Sequence, residues 1–145
     1  MTFFTGKVKY AMAIFIDASV FCSYVNKVDV HHLKAKNLLK DIFSNKQEVT
    51  YTSDYIFDEV LGVCLRKAGK KTAYETGFYI LHSQIAFIFI GAHIFKDAWL
   101  LFQTTDDLSF TDCTSLAFMK AYGIQKIVTF DKGFLQRKDI EVIGC

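Results

Sequence analysis

The chain has 145 residues, 52% of them hydrophobic, with 15 phenylalanines, no proline and a formal net charge of +2. That is the size of one domain, taken here as residues 1–145, with room for a real core, and its charge is too small to make a global basic field for nucleic acid. No apolar run reaches the ~18 residues of a membrane span, and Lys7 and Lys9 lead into no signal-peptide pattern, so a soluble, cytoplasmic protein is expected.

In chain order, MAIFIDAS (12–19) is a continuous apolar run that reads as a strand buried on both faces. VFCSYVN follows as a short helix. DVHHLKAKNLLKDIFSN places Val30, Leu33, Leu38, Leu39, Ile42 and Phe43 on one stripe, which predicts an amphipathic helix with Asp29 as its N-cap. EVTYTS is a short strand. DYIFDEVLGVCLRKAG is a helix capped by Ser53 or Asp54 and stopped by Gly69, and KTAYETGFYILHSQ is a second helix. IAFIFIG is a strand and AHIFKDAWLLFQT a helix. SFTDCTSLAFMKAYG is a helix ending at Gly123, KIVTF a strand, and IEVIG a last short strand. Apolar strands alternating with helices predict an α/β fold, with a central parallel sheet covered by helices on both sides.

Cys22, Cys64, Cys113 and Cys145 show no C-x-x-C spacing, and His31, His32, His82 and His93 form no metal-ligand motif. Small buried thiols and ordinary histidines are expected. Local basic clusters stand at Arg66, Lys67, Lys70 and Lys71, and at Lys132, Arg137 and Lys138. Each is either a solvated face or a contact for a phosphate backbone.

The carboxylates carry the chemistry. Asp17 and Asp131 each follow an apolar strand, at the sheet edge where α/β folds bind ligands. A carboxylate ending a doubly buried strand is costly without a partner. On the helix from Asp54, Glu59 and Asp58 lie at opposite edges of the apolar arc, and helical geometry does not choose between them. Asp112 fits a capping box with Ser109 and equally fits a site. Asp131 also suits the turn Asp-Lys-Gly. Asp106 and Asp107 read as a solvated loop. If four such acids converge, each pair ~5 Å apart repels by roughly 3 kcal/mol at an effective dielectric of 20. A hard divalent cation, Mg²⁺ or Mn²⁺, relieves that and needs neither Cys nor His.

At these residues the sequence resembles the PIN domain family of metal-dependent ribonucleases, and within it the VapC-type toxins of toxin–antitoxin systems. FIDASVF carries Asp17, DEVLGVCLRKAG carries Glu59, LSFTDCTSLAFM carries Asp112 and IVTFDKGF carries Asp131, while VDVHHLKA fits the family's entry into its second helix. The resemblance implies an α/β/α sandwich and RNA cleavage with Mg²⁺ or Mn²⁺. It assigns Asp17, Glu59, Asp112 and Asp131 as the catalytic and metal-holding acids, preferring Glu59 to Asp58. Ser19 fits the family's hydroxyl two residues after the first acid, there to orient Asp17, with Thr129 doing likewise for Asp131. Arg66, Lys67 and Lys132 are the tentative RNA contacts. Where the family often carries several arginines after the Glu, this chain has Arg66 and Lys67. The resemblance further implies a homodimer, and an antitoxin whose tail fills the cleft. Two other functions remain open: a non-catalytic PIN-like RNA-binding or scaffold module, and a structure-specific DNA nuclease.

Overall fold

The structure is a computed structural model that describes Thr2, Phe3 and residues 12–145. The stretch containing Lys7 and Lys9 lies outside the described residues. Five parallel strands form the sheet: β2 (Ala13–Ile16), β3 (Val49–Ser53), β4 (Ala86–Ile88), β5 (Lys126–Val128) and β6 (Glu141–Ile143). A two-residue edge strand, β1 (Thr2–Phe3), extends it, and the order is β1-β4-β3-β2-β5-β6 with every pair parallel. The chain moves outward from β2 through β3 to β4, then returns to the other side of β2 for β5 and β6. The winding therefore reverses between β2 and β5, and in open α/β sheets the carboxyl ends at such a reversal are where a ligand-binding crevice forms.

Helix α1 (Ala18–Val25) packs against both α2 (His32–Ser44) and α3 (Asp54–His82), and α4 (Ala92–Phe102) pairs with α5 (Phe110–Tyr122). Side-chain alternation assigns the faces. Phe15 of β2 and Tyr51 of β3 stand in register and both meet Phe118 of α5, with ring centroids 5.9 and 5.8 Å away. Phe87 of β4 points the other way, edge-on to Phe57 of α3 at 5.6 Å. Ile14, Phe15 and Ile16 are all buried, as a strand covered on both faces requires. The expected three-layer α/β/α arrangement is thus present. No helix among the described residues is long and apolar enough to cross a membrane.

Two local expectations change. Asp29 does not cap α2. Its Oδ1 accepts from the His31 N–H at 2.8 Å and closes a turn before the helix, whose N-cap is His31. With the start delayed, Val30 (92% exposed) and Leu33 (71%) leave the apolar stripe, and burial falls to Ala35, Leu39 and Ile42. A short 3-10 turn, Lys132–Gln136, not foreseen in the sequence, follows β5.

The helix from Asp54 begins where expected, with Ser53 Oγ accepting from the Ile56 N–H at 3.3 Å. Gly69 breaks it, with φ 87° and ψ 175°, a conformation essentially reserved for glycine. The two arms of α3 then fold against each other. A Cβ on Gly77 would meet the side chains of Leu61 and Phe57 at 3.1 Å, and Cys64 Sγ reaches Thr76 Oγ1 at 3.8 Å. The absent side chain at Gly77 allows this close approach, which packs the arm carrying Glu59. A Cβ on Gly69 would meet nothing within 4 Å, so a side chain there strains only the backbone. Gly69→Ala should destabilise the protein by about 1–3 kcal/mol in urea unfolding; wild-type stability would show that the break tolerates other conformations.

Candidate active site

Asp17 is the first residue past β2 and the N-cap of α1. Its backbone N–H donates to Val128 O at 3.0 Å, which sets its side chain beside Thr129 at the end of β5. The carboxylate is 3% exposed. Its Oδ2 accepts from Ser19 Oγ at 2.8 Å and Thr129 Oγ1 at 2.7 Å. Each hydroxyl in turn accepts a backbone N–H, Ser19 from Phe130 at 3.0 Å and Thr129 from Asp131 at 2.9 Å. Both hydroxyls thereby spend their single proton on Asp17, and one carboxylate oxygen is fixed from α1 and from the residue just past β5, 112 positions along the chain. Thr129 serves Asp17 through its hydroxyl proton and Asp131 through the backbone, a double role that sequence proximity to Asp131 did not suggest.

Asp112 lies in the first turn of α5 and is buried. The capping box is formed: Asp112 Oδ2 accepts from the Ser109 N–H at 3.0 Å and Ser109 Oγ accepts from the Asp112 N–H at 3.1 Å. Capping engages only one of its two oxygens. Asp131 is exposed and caps the 3-10 turn, its Oδ1 accepting from the Gly133 N–H at 2.8 Å. Glu59 is half-buried on the first arm of α3, and Asp58 is exposed. Asp106 and Asp107 are exposed as expected, with Asp107 paired to Arg137 at 3.4 Å.

The four acids share one field. Burial, and then the charges of Asp17, Asp112 and Asp131, lift the Glu59 carboxyl to about 7. Burial lifts Asp112 to about 6; its bonds to Ser109 oppose this, and the charges of Asp17 and Asp131 add to it. Burial also raises Asp17, against the pull of the Thr129 and Ser19 hydroxyls. None of the four is in an ion pair among the described residues, where the salt bridges are Lys71–Glu75, His93–Asp97, Lys126–Glu48 and Arg137–Asp107. The donor set is therefore all carboxylate oxygen, concentrated and without a cationic partner, which fits a hard divalent ion. Among the described residues no group of three or more His, Cys, Asp or Glu side chains is arranged to hold a metal ion. Mg²⁺ keeps several of its waters and is bound through only one or two protein carboxylates, so it does not require three side chains gathered in advance.

Arg66 and Lys67 are exposed about two turns beyond Glu59 on α3, and Lys132 is exposed directly after Asp131. Sequence reasoning missed the neighbour of Asp131: Phe130 carries the His31 ring stacked upon it, 4.5 Å between centroids. Only the pair of adjacent histidines before an apparent helix hinted at it.

The raised carboxyls fix a sign. Unfolded, they titrate in the ordinary carboxylate range; folded, they hold protons to higher pH. Between those limits the native state binds more protons, so stability falls as pH rises. In EDTA the melting temperature should therefore drop from about pH 5 to about pH 8. Glu59→Gln, which removes one charge from the field, should raise it at the alkaline end. A flat or opposite slope would mean that the acids do not share a field.

The PIN domain family profile matches residues 14–140. The 23S rRNA-specific endonuclease VapC20 of Mycobacterium tuberculosis is 29% identical over 131 residues, spanning 89% of this chain and 97% of that protein. The crystal structure of Mycobacterium tuberculosis VapC20, described as a sarcin-ricin loop cleaving toxin, aligns with a TM-score of 0.78 at 28% identity over 86% of this chain and 95% of that one. VapBC2 from Rickettsia felis shares the fold, with a TM-score of 0.66 at 15% identity over 90% of this chain and 97% of that one. The family match runs from inside β2 to the residue before β6 and so takes in all four acids, and the chain belongs to the PIN domain family.

Proposed function

We propose that this chain is a metal-dependent endoribonuclease, acting as the toxin of a toxin–antitoxin pair. The observation that carries the reading is the convergence of Asp17, Glu59, Asp112 and Asp131 on one field with no basic residue to neutralise them. A scaffold gains nothing from uncompensated buried carboxylates, whereas a phosphodiesterase needs them.

When bound, Mg²⁺ or Mn²⁺ supplies the Lewis acidity that makes water nucleophilic near neutral pH and offsets charge on the phosphate. Asp17 would be one of the acids that hold the ion, with its carboxylate oriented by the Ser19 and Thr129 hydroxyls on Oδ2. Asp112 would join it in holding the ion, steadied by the Ser109 N–H on its Oδ2. Glu59, with a carboxyl near 7, is placed to take a proton from water. Asp131 lies at the exposed lip, where an incoming strand first meets the acids. Arg66, Lys67 and Lys132 would bind neighbouring phosphates.

The likeness to VapC20 over 97% of that protein supports RNA as substrate, ribosomal RNA first among the candidates, and a toxin role with an antitoxin as partner; the cytoplasm is the place of action in this proposal. A homodimer is part of the same proposal.

Purified protein incubated with RNA and DNA pools should cut RNA with Mn²⁺ or Mg²⁺ and stop with EDTA. Asp17→Asn and Asp112→Asn should each lower the rate at least about a hundredfold. Cutting that survives EDTA, or full activity in both variants, would defeat the proposal. Cutting of DNA alone would transfer it to a DNA nuclease, and binding of RNA without cutting to a docking module.

A further inference from the structure

The wall of the crevice beside Asp131 carries a surface that the acids do not use. His31 lays its imidazole on the Phe130 ring with the planes 15° from parallel. Phe130 is held on its own account. Its N–H donates to Ser19 Oγ, the hydroxyl that also orients Asp17. Behind it runs the chain end, where a Cβ on Gly144 would come within 3.3 Å of the ring. The loop bearing His31 is fixed too, by the bond from the His31 N–H to Asp29 Oδ1 and by His32 Nδ1, 3.1 Å from Ser23 O. The result is a rigid flat pair whose outer member is exposed to solvent.

Its surroundings suit a nucleotide. Val28 and Val30, in the same loop as His31, are 90% and 92% exposed, apolar surface that folding leaves uncovered. Lys34, one turn into α2, reaches the Gly144 carbonyl, and Lys132 follows Asp131. The wall thus offers a flat aromatic face, apolar margins and two ammonium groups, beside a crevice that would hold a phosphate through a cation. RNA is read in loops and single strands by bases splayed out onto aromatic, histidine or arginine planes, with cations on the backbone. An apolar peptide would use the valines but would leave the lysines and the flat stack without purpose.

We propose that the exposed face of His31, backed by Phe130, stacks an unpaired nucleobase next to the bond to be cut, with Lys34 and Lys132 on the adjoining phosphates. This rests on the nuclease reading and adds to it a determinant of which nucleotide is presented to the acids. His31 acts here by positioning; it takes no part in the bond breaking.

The test separates binding from cleavage. In an Asp17→Asn background, single-stranded oligoribonucleotides carrying 2-aminopurine at successive positions should show quenching at one position on binding. His31→Ala should remove that quench and weaken binding about tenfold, and His31→Phe should restore both. In the cleaving chain, His31→Ala should raise KM about tenfold while kcat changes far less. If His31→Ala quenches and binds like its parent while RNA is still cut, the stack only pins the loop to β5; the inference falls and the nuclease stands. If the probe is quenched through His31 but the cleaving chain cuts no RNA, the nuclease reading falls and the stacking surface stands. If RNA is never quenched and an apolar peptide binds in a manner lost in His31→Ala, the surface belongs to a protein partner and the inference is overturned.

Discussion

The Asp17 carboxylate is the group on which the acidic edge depends. It ends a strand buried on both faces, so almost no water reaches it. Left there alone it would be protonated or would open the sheet. Two hydroxyls keep it in place, and both are tied to the backbone that leaves β5. Removing either hydroxyl would also orphan a backbone N–H, because Ser19 and Thr129 each donate to the acid and accept from the chain. The junction of β2 and β5 is therefore both a sheet contact and the mount of a carboxylate. The winding of the sheet places it where the crevice opens.

Around that mount the fold accumulates like charge. Asp112 arrives on a helix N-terminus, where the dipole and the capping box favour an anion. Glu59 arrives on the first arm of α3, which is packed by the second arm after the break at Gly69. Asp131 arrives at the cap of a short turn. Each acid thus has a local structural reason to be where it is, and together they form an electrostatic conflict that none of those reasons resolves. A divalent ion resolves it, and the proposed chemistry is what that ion would do to a phosphodiester.

The local reasons explain why single residues were ambiguous in the sequence. Ser109-x-x-Asp112 reads as a capping box and is one; Asp131-Lys-Gly reads as a turn and is one. Structural and chemical roles coincide because a cap uses one carboxylate oxygen and leaves the other. The wrong expectations were of another kind. Asp29 before a polar run satisfied the rule for an N-cap, but its side chain closed a turn instead, and Val30 and Leu33 left the helix face. A periodic apolar pattern states which face a helix could bury, not where the helix begins.

What the amino-acid order determined by itself was local and periodic. A run apolar on both faces announced β2 and short strand-forming runs announced β3 to β6, Ser53 and Ser109 announced helix starts, and Gly69 and Gly123 announced breaks, because strand burial, capping and positive φ act over a few residues. The positions of the acids at strand ends were legible for the same reason. Tertiary structure alone decided that Thr129 would bond Asp17, that the arms of α3 would close over Gly77, and that His31 would lie on Phe130. Those contacts join residues a dozen to more than a hundred positions apart, and their geometry is set by sheet order and packing, which no local pattern encodes.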